Sequence, residues 1–409
     1  MADSLNPLEA ARRTAASEGR ELSLISTRFA DAGLTWPEER YRTAWHRWRS
    51  QPAYTADGRG APGARSAIAA AYSAEGLAVE PDGLILTGGS SISYQLLFSV
   101  LRDAGGGATV ALPLPGYPLF EGILQPLGMT PTWYRCPPET GFLPDLDSVD
   151  AVLAGPGSAA SDPTPGRPPA ALVLISPNNP AGITYPDSLV AEIARRCASA
   201  GTLLILDEVF SLFRDGTTGS VAVHRPPETG APIAHLNGVS KLCAAPEVKL
   251  GWIAVEGGDP VAREELLDAL DTAHDTYLTL SGFAEAATGA FVADQEAGAA
   301  HEELRRRVAV LRRETLGAVG SVPWIEPTDA DSGIHIPVRI DPVFAAERFG
   351  TVDDEAIATG LVRETGVFLH PGSFYGLDHP AFTGGPWGIV SAITPPAVRD
   401  AAVATLRRL

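Results

Sequence analysis

Lysine is rare in this sequence, and its two occurrences lie close together. Of the 31 basic residues, all but Lys241 and Lys249 are arginine. Arginine can replace lysine as a surface charge, but its guanidinium stays protonated and is a poor nucleophile. A lysine amine that loses its proton in a desolvated site can form a Schiff base with an aldehyde. The pattern therefore predicts a covalent role for Lys241, whereas Lys249 is equally well explained as a surface charge.

The elements that must position this lysine follow from short apolar runs. Six runs predict strands, at 84–87, 109–112, 171–176, 202–206, 233–236 and 252–255. Helical patterns fill the gaps, at about 91–103, 117–127, 186–200 and 260–273. Runs that are apolar on both faces are typical of a parallel sheet with helices on either side. The predicted fold class is therefore α/β with a mostly parallel sheet.

Residues suited to hold a small charged molecule follow these strands. In chain order they are Gly89, Ser90 and Ser91 after the first run, Tyr117 after the second, Asn179 after the third, Asp207 after the fourth, and Ser240 with Lys241 after the fifth. In open parallel sheets, ligands collect beyond the carboxyl ends of the strands. Small residues before a helix offer free amides to an anion, although a plain helix cap would look the same.

Asp207 follows four apolar residues, so we expect its carboxylate to lie at a buried strand end. A buried carboxylate needs a cation or hydrogen-bond donors around it. One interpretation is a helix cap. The other is a carboxylate that keeps a pyridine nitrogen protonated, as an electron-sink cofactor requires.

Taken together, these motifs resemble the fold type I pyridoxal-phosphate (PLP) enzymes, specifically the class I/II aminotransferase-like group. The resemblance extends from about Leu22 to the C-terminus. It implies a three-layer large domain with a mostly parallel sheet, and a smaller α+β domain. We expect residues 1–50 to form an N-terminal arm and part of the small domain, residues 51–282 the large PLP-binding domain, and residues 283–409 the C-terminal small domain.

The resemblance also implies a role for each motif residue. Lys241 would carry PLP as a Schiff base and then move protons at the substrate α-carbon. Asp207 would pair with the pyridinium nitrogen, and Asn179 would hydrogen-bond the phenolic oxygen of the ring. Tyr117 would stack on the ring face. These roles make Lys241, Asp207 and Tyr117 the predicted catalytic residues.

A phosphate site and a shared dimer are implied in the same way. Gly89, Ser90 and Ser91 would hold the phosphate, with help from Ser240. Tyr54 matches a tyrosine that reaches the phosphate of the partner subunit. That match implies a homodimer with shared active sites.

The sequence departs from the family pattern at two cofactor positions. The residue eight positions after the Schiff-base lysine is usually an arginine, and here it is Lys249. Lysine can neutralise a phosphate as a point charge, so the phosphate role is kept. Phe210 stands where a tyrosine is usual, which removes one donor to the phenolic oxygen. We expect this loss to raise the pKa of the Schiff base.

A third departure concerns the substrate. Family members usually clamp the substrate carboxylate with a C-terminal arginine, and the aligning stretch Trp387–Ala392 contains none. Arg28 is the predicted replacement, because its segment matches the arm that borders the active site. A solvated arm residue is the alternative. His370, Ser373 and Tyr375 match a segment at the mouth of the site, so we expect them near the substrate or in a structural role.

The function predicted first is an aminotransferase acting on an amino acid or a similar small molecule. Its alternative is a PLP-dependent lyase that performs C–S β-elimination, or a decarboxylating enzyme, because the carboxylate clamp decides which substrate bond stands perpendicular to the ring. The altered clamp suggests specialised metabolism. A DNA-binding regulator would need a basic helix-turn-helix, and a nicotinamide dehydrogenase would need Gly-x-Gly-x-x-Gly; neither pattern is present.

Composition limits the classes of binding partner and the cellular compartment that we expect for this protein. The net charge of −18 argues against a nucleic-acid partner, which requires a basic face. No apolar run reaches membrane-spanning length, and no signal peptide is recognised. The three cysteines, Cys136, Cys197 and Cys243, have neither disulfide-framework nor metal-site spacing. We therefore expect a cytoplasmic enzyme without a metal.

Overall fold

Helices and strands alternate along most of the chain. A computed structural model describes residues 6–51, 56–104, 108–155, 166–217 and 219–409. The strands within these residues are β1 (Leu22–Ser23), β2 (Leu84–Thr87), β3 (Thr109–Leu114), β4 (Thr130–Arg135), β5 (Ala171–Ile175), β6 (Leu203–Asp207), β7 (Ile233–Gly238), β8 (Gly251–Glu256), β9 (Ile325–Pro327), β10 (His335–Ile340), β11 (Val367–Phe368), β12 (His370–Pro371) and β13 (Trp387–Ser391). The α-helices are α1 (Pro7–Ser17), α2 (Glu38–Arg49), α3 (Pro62–Ala74), α4 (Ser90–Asp103), α5 (Phe120–Leu124), α6 (Leu146–Leu153), α7 (Asp187–Ala200), α8 (Val239–Leu242), α9 (Pro260–Asp275), α10 (Gly282–Thr288), α11 (Gln295–Val319), α12 (Pro342–Phe349), α13 (Asp354–Thr365) and α14 (Pro396–Leu406).

The main sheet contains seven strands in the order β2-β8-β7-β6-β5-β3-β4. Strand β8 is antiparallel to both of its neighbours, and the other pairs are parallel. Every residue of β5 and β6 is buried, as expected for strands with helices on both faces. The predicted α/β fold with a mostly parallel sheet is confirmed.

A second sheet lies in the C-terminal part of the chain. Its order is β12-β13-β10-β9, and all of its pairs are antiparallel. Helices α12, α13 and α14 follow or interrupt these strands, which gives the smaller α+β unit that was predicted. Its core contains Ile336, Val338, Leu361 and Val390, all nearly without solvent exposure.

The N-terminal segment is divided between the two cores. Helix α1 packs on α13, β1 pairs with β11, and Leu8 and Leu24 enter the core of the second sheet. Helix α2 packs on α10 instead, and its Ala44 belongs to the core beside the main sheet. The domain boundaries drawn at residues 50 and 282 stay a proposal, because helices on either side of them share cores.

The sequence pattern over 283–316 predicts one long helical segment, and this prediction is wrong. The structure has α10, a π-helical turn at Gly289–Ala293, and then α11. The break lies at Asp294, whose carboxylate caps α11 by accepting the amide of Ala297 and also pairs with Arg40. Asp294, held by Arg40 of α2, therefore separates the π-helical turn from α11 and caps the N-terminus of α11.

Smaller differences concern the ends of elements and elements that were missed. The helix predicted at 117–127 begins only at Phe120, because Pro118 and Leu119 form a turn before it. The strand predicted at 202–206 is shifted by one residue, so that Asp207 ends it. Strand β4 and helix α3 were not predicted. The stretch 155–169, rich in glycine and proline, predicts an exposed loop, and its residues 156–165 lie outside the described ones.

The described residues contain neither a candidate membrane span nor a candidate metal cluster. No helix among them is both long enough and apolar enough to cross a membrane. Within the same ranges, no group of three or more histidine, cysteine, aspartate or glutamate side chains is arranged to hold a metal ion. All three cysteines are buried and unpaired.

Candidate active site

The register of the main sheet brings the predicted site residues to one edge. Thr87 of β2, Gly251 of β8 and Gly238 of β7 lie abreast. The Gly-Ser turn after β2 and the lysine helix α8 after β7 therefore begin side by side. In the same way Ile175, Asp207 and Leu236 lie abreast, so the loop of Asn179 starts next to Asp207.

Lys241 lies in the short helix α8, and its amine has no partner of opposite charge among the described residues. Its Nζ lies 5.7 Å from the ring centre of Phe29 and 6.0 Å from that of Phe210. Burial lowers the pKa of Lys241, because the charged form loses its hydration. The site therefore holds an amine that is easier to deprotonate than a surface lysine, which is what a nucleophilic amine requires.

Asp207 ends β6 with almost no exposure. Its Oδ2 accepts a 2.5 Å hydrogen bond from Tyr94 Oη, and its Oδ1 accepts the amide of Val209 at 3.0 Å. Burial raises the pKa of Asp207 to about 6, although the two donors lower it. Both donors are neutral, and no cation pairs with this carboxylate within the described residues. The site could therefore take a cationic N–H group.

Asn179 follows β5 in the turn Asn178–Gly182. The amide of its neighbour Asn178 is fully used, donating to Tyr185 Oη and accepting the amide of Ala181. Asn179 is equally buried, yet its Oδ1 has no hydrogen-bond partner in the part of the chain that is described. A buried amide without partners is costly unless a ligand completes it.

The anion site was predicted at the N-terminus of α4. Gly89 caps the helix at φ +130°, a backbone conformation that favours glycine, and no side chain caps the first amides. A Cβ on Gly89 would meet nothing within 4 Å, whereas one on Gly251 would lie 2.8 Å from Gly89. Strand β8 thus touches the turn from behind and leaves its front open. Ser90 and Ser91 begin the helix, with Ser91 exposed.

Two further residues of the predicted anion site border this turn. Ser240 precedes Lys241 in α8 and is half-buried. Lys249 lies two residues before Gly251, is exposed, and adopts φ +55°. A lysine in the left-handed region is strained, and such strain is often retained at functional sites.

Tyr117 lies beside the same edge. Its ring meets Phe120 edge-on at 5.5 Å and is half-buried. Burial raises the pKa of Tyr117, the hydroxyl of Ser91 opposes that shift, and the charge of Asp207 adds to it. The phenol is therefore neutral, and its ring lies within electrostatic reach of both the Gly-Ser turn and Asp207.

Residues of the second sheet close the other side. His370 Nδ1 and Tyr375 Oη are 3.0 Å apart, and the carbonyl of Tyr375 accepts the amide of Gly116. Burial lowers the pKa of His370 to about 4, with Arg12 contributing. A cavity of about 330 Å³ runs between Tyr117 and Tyr375, lined also by Ser373, whose buried Oγ has no partner among the described residues.

One predicted residue is not brought into this cluster, and another cannot be compared with it. Arg28 is 80% exposed and pairs with Asp31, so its role in substrate binding stays a prediction. Tyr54 lies outside the described residues. The residue after Arg28 is the one that faces the lysine, since Phe29 is buried and close to Lys241.

Three residues of the site were not found from the sequence. Phe29 directly follows the predicted Arg28, and its apolar ring gave no reason to single it out from the sequence. Tyr94 lies one turn into α4, on the face turned toward β6, and the helical period from Ser90 could have indicated it. His335 begins β10, and nothing in the sequence singles it out from the other histidines.

Comparisons with known proteins agree with this geometry. The sequence model of the family described as aminotransferase class I and II matches residues 50–404. Valine–pyruvate aminotransferase from Mycobacterium tuberculosis is 29% identical over 344 residues, which are 82% of this chain and 78% of that protein. An S-alkyl-thiohydroximate lyase from Arabidopsis thaliana is 28% identical over 181 residues, covering 44% of this chain and 36% of the lyase.

The fold has similar solved structures. An alanine aminotransferase from Pyrococcus furiosus superimposes with a TM-score of 0.81, covering 98% of this chain and 95% of its own, at 19% sequence identity. At that identity the similarity concerns the fold alone.

Proposed function

This chain belongs to the class I and II aminotransferase family, and we propose that it moves the amino group of an amino acid to a 2-oxo acid by means of Lys241. The observation that carries the proposal is the buried amine of Lys241, which lies between two aromatic rings and forms no ion pair among the described residues. A structural lysine in such surroundings would be expected to have an acidic partner.

The family implies pyridoxal phosphate as the cofactor, and the side chains at the sheet edge fit it. Asp207 lacks a cation, the buried Oδ1 of Asn179 lacks a partner, and the Gly89 turn is open in front of uncapped amides. These gaps correspond to the ring nitrogen, the phenolic group and the phosphate of one molecule, since a phenolic O–H can donate to Asn179 Oδ1 and the Nδ2 of the same side chain can donate to a deprotonated phenolic oxygen. When bound, the cofactor supplies an electron sink for the electron pair left on the substrate α-carbon after deprotonation.

The residues that would hold the cofactor follow from these gaps. Asp207 would accept the ring N–H, and its raised pKa would fall once a cation lies beside it. Asn179 would bind the phenolic oxygen, and Tyr117 would pack against the ring. The phosphate would be bound by the amides and hydroxyls that begin α4, by Ser240 and by the charge of Lys249. Phe210 and Phe29 would shield the lysine from water.

Lys241 has two tasks in this proposal. Its Nζ would hold the cofactor covalently until the amine of the substrate replaces it. The released amine would then take the proton from the substrate α-carbon and return it at the neighbouring carbon of the cofactor. Both tasks require the neutral amine, and burial in an apolar site favours that form.

A lyase that eliminates across a C–S bond is the second candidate. It is favoured by the partial similarity to a thiohydroximate lyase and by the absence of arginine from Trp387–Ala392. The same proton removal starts either reaction, and the orientation of the substrate decides which bond breaks next.

We further propose a cytoplasmic homodimer with shared active sites that serves specialised metabolism. The Tyr54 motif supports the dimer by resemblance only. Three unpaired buried cysteines are compatible with a reducing compartment.

A substrate panel tests the proposed reaction. The holoenzyme is incubated with L-alanine, L-valine, L-glutamate and S-alkyl cysteines while its absorption spectrum is followed. Aminotransfer converts the cofactor to the pyridoxamine form, which persists until a 2-oxo acid is added. Release of ammonia and a 2-oxo acid with no change of the resting spectrum would support the lyase instead. Release of carbon dioxide would identify a decarboxylase, and no reaction with any compound would contradict all three.

A further inference from the structure

One buried histidine differs from the others in having no hydrogen bond. His335 is only 6% exposed, yet within the described residues its ring meets aromatic side chains and no polar group. Every other buried or half-buried histidine has a polar partner: His224 has Asp187 and Ser176, His235 has Glu208 and Glu256, His274 has Gly58 and Thr279, His301 has Cys243, and His370 has Tyr375. A buried imidazole that lacks partners is the kind of group a ligand completes.

The position of His335 is next to the reactive lysine. The ring centres of His335 and Phe210 are 6.0 Å apart in an edge-on arrangement. The ring centre of Phe210 also lies 6.0 Å from Lys241 Nζ. Tyr375 lies 6.2 Å away on the other side. The carbonyl of His335 also packs on Gly182, where an added Cβ would come within 2.6 Å of it. The histidine thus stands where the second sheet touches the Asn179 turn.

The electrostatics keep this imidazole neutral while the site is empty. Burial, with a smaller contribution from the nearby Lys241 and His370, lowers the pKa of His335 to about 3. The neutral phenol of Tyr375 is the remaining titratable group against it. No carboxylate contributes to the shift. An anion that enters the site would raise the pKa of His335, because it would lie beside an imidazole that has no other negative partner.

No buried arginine is available for the same anion. Within the described residues, each buried arginine is already bound to carbonyl or carboxylate oxygens; these arginines are Arg40, Arg65, Arg214, Arg305, Arg312 and Arg399. Arg312 binds the carbonyl of Gly333, two residues before His335, but it also donates to the carbonyl of Phe213 and to the carboxylate of Asp215.

Resting on the proposed aminotransferase function, we propose that His335 binds the carboxylate of the amino-acid substrate. The ring donates an N–H to a carboxylate oxygen and takes up one proton from solvent as the substrate enters. The carboxylate then lies beside this imidazolium, on the side of the site where the second sheet touches the Asn179 turn. A clamp that must be charged by protonation replaces the permanent charge of an arginine, and it selects α-amino acids over amines or amides.

The proposal fixes the direction of a pH effect. The complex holds one more proton than its free components at every pH between the free and bound pKa of His335. The affinity for a carboxylate substrate therefore falls as pH rises through that range, and an uncharged analogue shows no such loss. With an arginine as the clamp, the ratio of the affinities for the carboxylate substrate and the uncharged analogue would not change with pH over this range.

The experiment compares L-alanine, L-valine and L-glutamate with their α-amides. Half-reaction rates with the holoenzyme give kcat/KM for each acid and amide below about pH 7, where α-amino groups are protonated. The acid is expected to be preferred by about 10- to 100-fold, as for a hydrogen bond to a charged group, and the preference should shrink with rising pH. Calorimetry in two buffers should detect the uptake of one proton.

Two substitutions separate the role of the ring from its charge. His335→Phe keeps the aromatic packing and should abolish the preference for the acid while leaving the cofactor spectrum unchanged. His335→Gln keeps a neutral donor, so it should retain part of the preference and lose the pH dependence and the proton uptake. His46→Gln, at an exposed position of α2, is the matched control and should behave as the wild type.

An unchanged acid-to-amide ratio in His335→Phe would overturn the proposal even if the enzyme transaminates normally. Absence of any half-reaction in the wild type would overturn the proposed function and the clamp together. The two failures are thus distinguishable.

Discussion

Asp207 and Glu208 are consecutive carboxylates with opposite surroundings. Asp207 has two neutral donors and no cation, and burial raises its pKa to about 6. Glu208 is even more deeply buried, but His235 Nδ1 lies 2.9 Å from its Oε2 and the amides of Val223 and His224 bind its Oε1. Burial alone would raise the pKa of Glu208, and the charge of His235 lowers it on balance.

This difference separates a binding group from a structural one. Glu208 is satisfied by the protein, because its histidine also bonds Glu256 on the far side. Asp207 has no positively charged partner among the described residues. It lies at the edge of the sheet where Lys241, Asn179 and the Gly89 turn meet. A buried carboxylate that the fold does not satisfy indicates where a cationic ligand atom belongs.

Breaking the satisfied pair should have the largest effect. Glu208→Gln leaves His235 charged and buried with one acidic partner fewer, so unfolding should become easier by about 3–5 kcal/mol. Urea titration of the apoprotein measures this. Glu256→Gln is the matched control and should lose less, since Glu256 is partly exposed. Equal losses for the two variants would mean that Glu208 is not the main partner.

The pH dependence of the same pair has a definite sign. His235 has its pKa raised to about 10, so its contribution to stability is complete below its unfolded pKa and is lost as pH rises through about 10. Glu208 has a lowered pKa, so its contribution is lost on the acid side. The Glu208→Gln variant should lack the acid-side slope and show a weaker loss on the alkaline side, because Glu256 still pairs with His235.

Asp207→Asn should instead affect activity. It removes the negative charge expected to face the ring nitrogen and should lower kcat by about 100- to 1,000-fold, the usual range for one preorganised electrostatic contact. The measurement is the rate of the amino-acid half-reaction in the holoenzyme. A rate within a factor of a few of the wild type would show that Asp207 does not act on the cofactor.

The same substitution should stabilise the apoprotein. A carboxyl whose folded pKa is raised destabilises the native state above that pKa, and the loss is relieved as pH falls through it. At pH 7 the free energy of unfolding of Asp207→Asn should exceed that of the wild type by about 2–3 kcal/mol, and the difference should shrink toward pH 4. A destabilised variant at pH 7 would place Asp207 in the same class as Glu208.

Tyr94→Phe tests the smallest contribution. Its hydroxyl donates the 2.5 Å bond that orients Asp207 and opposes the rise in its pKa. Loss of one such bond should raise that pKa further and slow the half-reaction by about 5- to 15-fold. Activity should recover toward low pH no better than in the wild type, because a protonated Asp207 cannot serve the ring nitrogen.

The sequence predicted the parts of the site that follow strands. Asn179, Asp207 and Lys241 each come within five residues of the end of an apolar run, and parallel strands bring such positions to one edge. Tyr94 and His335 could not be predicted in this way. Tertiary packing of α4 and of β10 brings these two residues to the site. Contacts made in that way produce no characteristic spacing in the sequence. The break at Asp294 was missed for the same reason, since its partner Arg40 is distant in sequence.

The central claim is that the amine of Lys241 holds the cofactor. Borohydride reduction of the protein supplied with pyridoxal phosphate, followed by peptide mapping, tests it most directly. The account predicts one cofactor fixed to Lys241 per chain and none to Lys249, the other lysine of the sequence. Label on Lys249 instead, or protein that stays colourless and unlabelled, would contradict it.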